Sequence, residues 1–313
     1  MNHANGRAFT LIELAAVCGA CSVLGLLSFA AIQPDTDAAA KRKAAQAKDV
    51  AQIRGIGQAM VIWAQNHEDN YPLPSLIDKS DATIGGGGTT KNTTANIFSM
   101  LIYSGSISSP GVLVSPLEVN PNIVADDKYE FKTPKKAAVP EKALWDPAFS
   151  ADFTGGKKGG VSYAHQEPND KRLPRWSNSF SSSEIVLGTR GPEIEGIDRP
   201  TPGAIAPRFA SPPTDDGKGT RTCAFYGQGK TYTGNFVYND NSVRLLKPGL
   251  THGEAMPVLD KATHDFPTIT VDGKIKFDIP FHDELDDMTE TNTFLGIFIK
   301  AGTSKKDFKA IWD

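Results

Sequence analysis

An apolar run from Phe9 to Ile32, broken by a single carboxylate at Glu13, constrains this chain more than any other stretch. Its only other ionisable side chains are the thiols of Cys18 and Cys21. As a helix rising ~1.5 Å per residue, the run covers ~36 Å, enough for a bilayer core of ~30 Å with some tilt. A carboxylate one turn into such a segment costs ~2.5–3.5 kcal/mol on insertion scales unless something satisfies it. Two readings follow. Glu13 either lies at headgroup depth in an ordinary signal anchor, or it meets a partner charge in an assembly. The leader is too short and polar for the n-region of a cleaved signal, and the run is too long for an h-region. The helix is therefore expected to stay in the mature protein.

Phe9-Thr10-Leu11-Ile12-Glu13, preceded by Gly6-Arg7-Ala8 and followed by the apolar helix, resembles the processing site of type IV pilins and type II secretion pseudopilins. The resemblance implies that a prepilin peptidase cuts between Ala8 and Phe9 and that Phe9 becomes N-methylated. It gives Glu13 the role of pairing with the amino terminus of a neighbouring subunit, with Thr10, Leu11 and Ile12 sharing the assembly segment. Ala8 departs from the pattern, which has Gly before the cut; Gly6 lies two positions earlier. Implied partners are other copies or related pilins, the prepilin peptidase and an inner-membrane assembly platform. The implied location is a single-pass inner-membrane protein with an extracytoplasmic domain, periplasmic or on the cell surface once assembled. One feature points the other way. Lys41, Arg42 and Lys43 follow the helix while only Arg7 and the amino terminus precede it, and the positive-inside rule favours the opposite orientation.

Beyond the run, Pro34 suggests an interruption and Asp35, Thr36 and Asp37 offer N-cap chemistry for a restart. From Ala38 to about Glu68 the pattern is helical again. Val50, Ile53, Gly57, Met60, Val61 and Ala64 fall at helical spacings, while Lys41, Lys43, Lys48, Asp49 and Arg54 are expected on other faces. The expected fold class is α+β: a long N-terminal helix, half membrane and half amphipathic, packed on an antiparallel sheet in the pilin manner. The expected divisions are a leader at 1–8, a membrane and assembly helix at 9–32 and an amphipathic helix at 33–70. A globular β domain at 71–250 and a C-terminal β extension at 251–313 follow.

Gln52–Pro72 at the end of the helical rod and the stretch LIYSGSISSPGVLVSP at 101–116 of the β domain resemble pseudopilin-like proteins of planctomycete-type bacteria. There the second stretch forms a helix and a strand before a Cys-Pro turn, and Ser115 stands in the place of that Cys. Val161–Ala164 and Glu184–Gly188 look like two further strands of the same family. Two alternating runs around Asn239-Asp240-Asn241 predict a hairpin, similar to the one closing those domains, with Asn241 where they carry Gly and Lys230 near the place of a His. Thr268–Val271 and Lys274–Phe277 around Asp272-Gly273 carry a type I′ hairpin signature. Thr293–Ile299 reads as a buried strand or an edge offered to a neighbour. The proline-rich stretch 190–220 reads as an extended connection.

Little of this chain looks catalytic. Gly85–Gly88 with Thr89, Thr90 and Lys91 lacks the phosphate-loop spacing and reads as a surface loop. The histidines show no metal-ligand spacing, no nucleophile elbow occurs, and Cys223 has no base beside it in sequence. Asp283, Glu284, Asp286, Asp287 and Glu290 offer oxygen ligands that could hold Ca²⁺, but without the EF-hand spacing they read as a solvated face. No cofactor is therefore expected. With 33 basic against 36 acidic side chains, nothing marks a nucleic-acid surface. The leading expectation is a non-enzymatic filament or pseudopilus subunit. The alternative is a membrane-anchored ectodomain that binds or hydrolyses a ligand or glycan.

Overall fold

A computed structural model describes residues 11–201, 204–214, 218–226, 229–246, 249–257, 268–271, 274–283 and 293–312, with side chains left out for 11–36, 256–257, 268–271 and 274–277. The chain divides into two compact units, 1–47 and 48–313. Helix α1 is Leu11–Gln65 and includes Pro34, where the sequence suggests a break. Helices α2 (Pro74–Ile77) and α3 (Thr94–Tyr103) follow it. The strands are β1 (Tyr163–Gln166), β2 (Ile185–Thr189), β3 (Ile194–Asp198), β4 (Ala204–Phe209), β5 (Thr231–Tyr232), β6 (Asn235–Tyr238) and β7 (Val243–Leu245). After them come β8 (Leu250–Thr251), β9 (Met256–Pro257), β10 (Thr268–Val271), β11 (Lys274–Phe277), β12 (Leu295–Lys300) and β13 (Lys309–Ile311).

Mixed helix and antiparallel sheet make up the larger unit. Among the described residues its main sheet has six strands in the order β13-β12-β1-β2-β6-β7, with every neighbouring pair antiparallel. Strands β1, β2 and β6 are buried at every position, so neither face of the sheet's middle meets water. Alternation assigns the faces. Tyr163 and His165 of β1 point to the side of α1 and α3, where Tyr163 bonds Asp49 and His165 bonds Thr94. Phe236 of β6 points to the other side and packs against Phe281. The core on the helical face joins Ile53, Ile56 and Met60 of α1 to Ile97, Phe98 and Leu101 of α3.

The spacing of apolar residues places α1 correctly over residues 48–65, with one exception. Asp49, expected among the solvent-facing charges, is completely buried. Gly57 explains how closely the helix approaches the sheet. A Cβ there would lie 2.8 Å from Val237 Cγ1 and 2.9 Å from Asn241 Oδ1. Asn241 itself adopts φ +61°, the left-handed value that its turn requires.

Two expectations are corrected in detail. The 190–220 stretch is not a plain connection, because β3 and β4 within it pair as a hairpin with Ile197 opposite Pro207. Pro192 precedes β3 and Pro200 falls between the strands, while Pro207 lies within β4. Pro110–Leu113 is a 3-10 turn where a strand was expected. The carbonyls of Val112 and Val114 are taken by the Gln52 side chain rather than by a partner strand. Of the two readings of Thr293–Ile299, the buried strand holds, since β12 lies between β13 and β1.

Gly55 and Gly57 give a paired test. Nothing lies within 4 Å of a Cβ built at Gly55. Gly55→Ala should stabilise the protein by up to ~1 kcal/mol through helix propensity. Gly57→Ala should destabilise it by ~1–3 kcal/mol through overpacking. Chemical denaturation of both variants reads the two signs.

Candidate functional site

Of the residues that the pilin resemblance singles out, Ala8, Phe9 and Thr10 lie outside the described residues, and so do the side chains of Leu11, Ile12 and Glu13. Among the residues whose side chains are described, which leaves out 11–36, no helix is long and apolar enough to cross a membrane. The densest polar constellation that the structure does bring together centres on Asp49.

Asp49 Oδ1 accepts from Ser115 Oγ at 2.6 Å and from the Tyr163 hydroxyl at 2.9 Å. Its Oδ2 accepts from the Tyr226 hydroxyl at 2.9 Å and from Asn235 Nδ2 at 2.8 Å. Four donors from four separate segments thus fill the roughly four acceptor positions of a carboxylate. Burial first, and then the Asp49 charge, push the Tyr163 and Tyr226 hydroxyls well above their ordinary range, so both remain donors. Ser115 also accepts from Leu117 N at 3.1 Å. With its proton given to Asp49 and the carboxylate saturated, the serine has no free base, and the constellation is a lock rather than a nucleophile dyad.

A second buried anion stands nearby in the chain. Glu118 is paired to Arg190 through Nη2 at 2.7 Å and Nε at 3.2 Å, a bidentate fork. The guanidinium also lies over the rings of Phe225 and Phe153, at 4.9 and 5.4 Å from their centroids. Its Nη1 donates to the Trp312 carbonyl at 2.7 Å, so one side chain joins the end of β2 to the far end of β13.

His165 is the best-placed histidine for chemistry and the least able to perform it. Its ring is fully buried, with Nδ1 2.8 Å from the Gln166 carbonyl and Nε2 2.8 Å from Thr94 Oγ1. Burial lowers it to about 4, so it is neutral at ordinary pH. Thr94 Oγ1 in turn accepts from Phe298 N at 2.7 Å, which ties α3 to β12.

The glycine loop is no phosphate cradle. Lys91 Nζ, the only cation it could offer, is buried and held by Asp78 at 2.8 Å and Asp81 at 2.5 Å. Burial is the largest single effect and opposes both charges of the Lys91–Asp78 pair. The hydrogen bonds and charge attractions from Lys91, Ile84 and Thr83 on Asp78, and from Asp78 and Asp81 on Lys91, together exceed it, lowering the carboxyl and raising the amine. Of the acidic run considered for Ca²⁺, Asp283 is described and pairs with Arg172 at 3.1 Å and Lys305 at 2.6 Å. Glu284, Asp286, Asp287 and Glu290 lie outside the described residues. Among the described residues, no three His, Cys, Asp or Glu gather as a metal site would require.

No family model, curated protein or solved structure matches the chain. Asp49 carried one overlooked signal: with Ile53, Ile56, Met60 and Ala64 it continues the buried seam at steps of three and four. Tyr226 and Asn235, its distant donors, carried none.

Two tests address this chemistry. Asp49→Ala removes the shared acceptor of four donors, three of them on buried residues, and should cost ~3 kcal/mol. For a domain of this size that corresponds to a fall of roughly 6–12 °C in Tm, with Ser115→Ala costing a smaller part. The second concerns Glu167, which burial raises to about 7 despite Arg172 and Asn169. In the fold it keeps a proton that an unfolded chain releases near pH 4, so stability falls as pH rises from ~4 to ~7. Glu167→Gln should flatten that decline in denaturation measured at pH 5, 6, 7 and 8.

Proposed function

We propose that the protein is a structural subunit of a type IV pilus-like filament or a type II secretion pseudopilus, without a catalytic role. The reading rests on Glu13, a lone carboxylate in the apolar run that follows Phe9 in the order leader, Phe, acid, helix. Such an acid inside a membrane calls for a partner, and the amino terminus of a neighbouring subunit supplies a positive charge. Prepilin peptidase cuts between Ala8 and Phe9, Phe9 is N-methylated, and Thr10, Leu11 and Ile12 pack beside Glu13. The mature protein is a single-pass inner-membrane protein with its larger unit outside the cytoplasm, handed to an assembly platform and joined to copies of itself or related pilins.

Two features of the larger unit support the reading. Residues 48–65 of α1 seat on an antiparallel sheet, the arrangement in which a long helix carries a globular head. The polar centres of that head, at Asp49, Glu118 and His165, are occupied by internal partners, which suits a role in holding shape rather than in turning over substrate.

Mass spectrometry of protein from the source cell tests the processing: an N-methylated Phe9 start is expected, and an intact leader overturns the proposal. Glu13→Val should abolish filaments or secretion while leaving the protein in the membrane at normal abundance. Assembly at the wild-type level in that variant would also overturn it.

A further inference from the structure

Lys41, Arg42 and Lys43 form a charged motif that the fold leaves unused. From Asp37 to Ala44 helix α1 is exposed at every position. Lys91, Lys135, Lys157 and Lys305 each hold a carboxylate, whereas Lys41, Arg42 and Lys43 hold none among the described residues. Their neighbours along the helix are mostly alanine: Ala38, Ala39, Ala40, Ala44, Ala45 and Ala47. With Lys48, the stretch 33–48 carries four bases against two acids, Asp35 and Asp37. Asp49, next in the chain, is taken up by its internal donors.

On the reading that the apolar run spans a membrane, these bases stand just beyond it. Lys41 comes nine residues after Ile32, ~14 Å along a helix. The headgroup layer takes up ~5–8 Å of that, half the difference between a whole bilayer and its hydrocarbon core. The remaining gap is about one Debye length, ~8 Å at physiological salt. Helical side chains also lean toward the amino-terminal end of their own helix, which here is the membrane side. Lys and Arg have long stems that carry this lean toward an interface, and small alanine neighbours leave the path open.

We infer that Lys41, Arg42 and Lys43 form a basic collar that binds the phosphates of anionic phospholipids at the extracytoplasmic face of the membrane. The inference rests on the proposed membrane anchoring of the apolar run and needs no filament. Consecutive helical residues point ~100° apart, so the three bases spread around more than half the circumference. A headgroup layer meets a crossing helix from every side and offers phosphates to all three. A facing helix would instead call for charges along one stripe, at steps of three or four. A parallel copy of the same helix at the same height would bring like charges together.

The collar gives these bases a task on the side where the positive-inside rule does not expect them. Each Lys or Arg near an anionic surface adds an attraction that falls off within a Debye length. Asp37, exposed four residues before Lys41, subtracts from it. Anionic lipid gathered at the collar must be shed when a subunit leaves the bilayer, so the collar favours the subunit that is still in the membrane.

Full-length protein in phosphatidylcholine vesicles with a minor share of phosphatidylglycerol tests the collar, read as the fraction of each spin-labelled lipid immobilised at the protein. The wild type should hold the phosphatidylglycerol label ~3-fold more strongly than the phosphatidylcholine label, and high salt should erase the difference. Lys41→Gln, Arg42→Gln and Lys43→Gln together should bring the ratio to about one, while Asp37→Asn should raise it. Equal retention of both labels by the wild type, or an unchanged ratio in the triple variant, overturns the inference. Self-association in phosphatidylcholine that the triple variant loses, without any lipid preference, assigns the bases to a second copy and overturns it too. The measurement is made on dispersed subunits, so a clear lipid preference beside an intact leader overturns the filament reading and leaves the collar standing.

Discussion

A helix held to a sheet by apolar contacts alone can slide by a turn at modest cost, because methyl groups are poorly directional. The Asp49 carboxylate removes that freedom. Its donors come from Ser115 in the turn after the 3-10 helix, Tyr163 in β1, Tyr226 and Asn235 in β6. All four are satisfied only when α1 sits in one register and β1, β6 and the 115 turn are already in place. Gly57 then lets the backbone close on Val237, two turns further along the same face. The rest of the helical side of the core follows from this one alignment.

The other face of the sheet uses a different device. Phe281 packs against Tyr232, Phe236 and Trp312, and fills the space that Gly191 leaves open. Around that aromatic patch stand ion pairs with little water near them: Arg190 with Glu118, Arg172 with Glu167, and Arg175 with Glu184. Buried pairs of this kind add little net stability over apolar packing but penalise any arrangement that separates them. They specify where the late segments 278–283 and 293–312 must lie.

How much of this was legible depended on the distance over which each feature is written. The register of α1 against the core could be read from Ile53, Gly57, Met60 and Ala64, because a helix repeats its signal every turn. The hairpin at Asn239–Asn241 could be read from residues that tolerate positive φ, and Asn241 adopts it. Strands β1 and β2 stood within a residue or two of their expected places. Asp49 was misplaced because a lone carboxylate on an amphipathic helix ordinarily faces water, and its donors lie 66 to 186 residues away. The β3–β4 hairpin was hidden by its prolines, one of them Pro207 within β4 itself, because proline ordinarily argues against a strand.

The position of β12 has a consequence for how the molecule comes to exist. His165 of β1 pairs with Gly296, about 130 residues later, so the centre of the sheet stays a half-made template until that late strand arrives. During synthesis, β1 therefore presents open amides and carbonyls to whatever strand comes near. A chain of this topology depends on being shielded until β12 reaches β1.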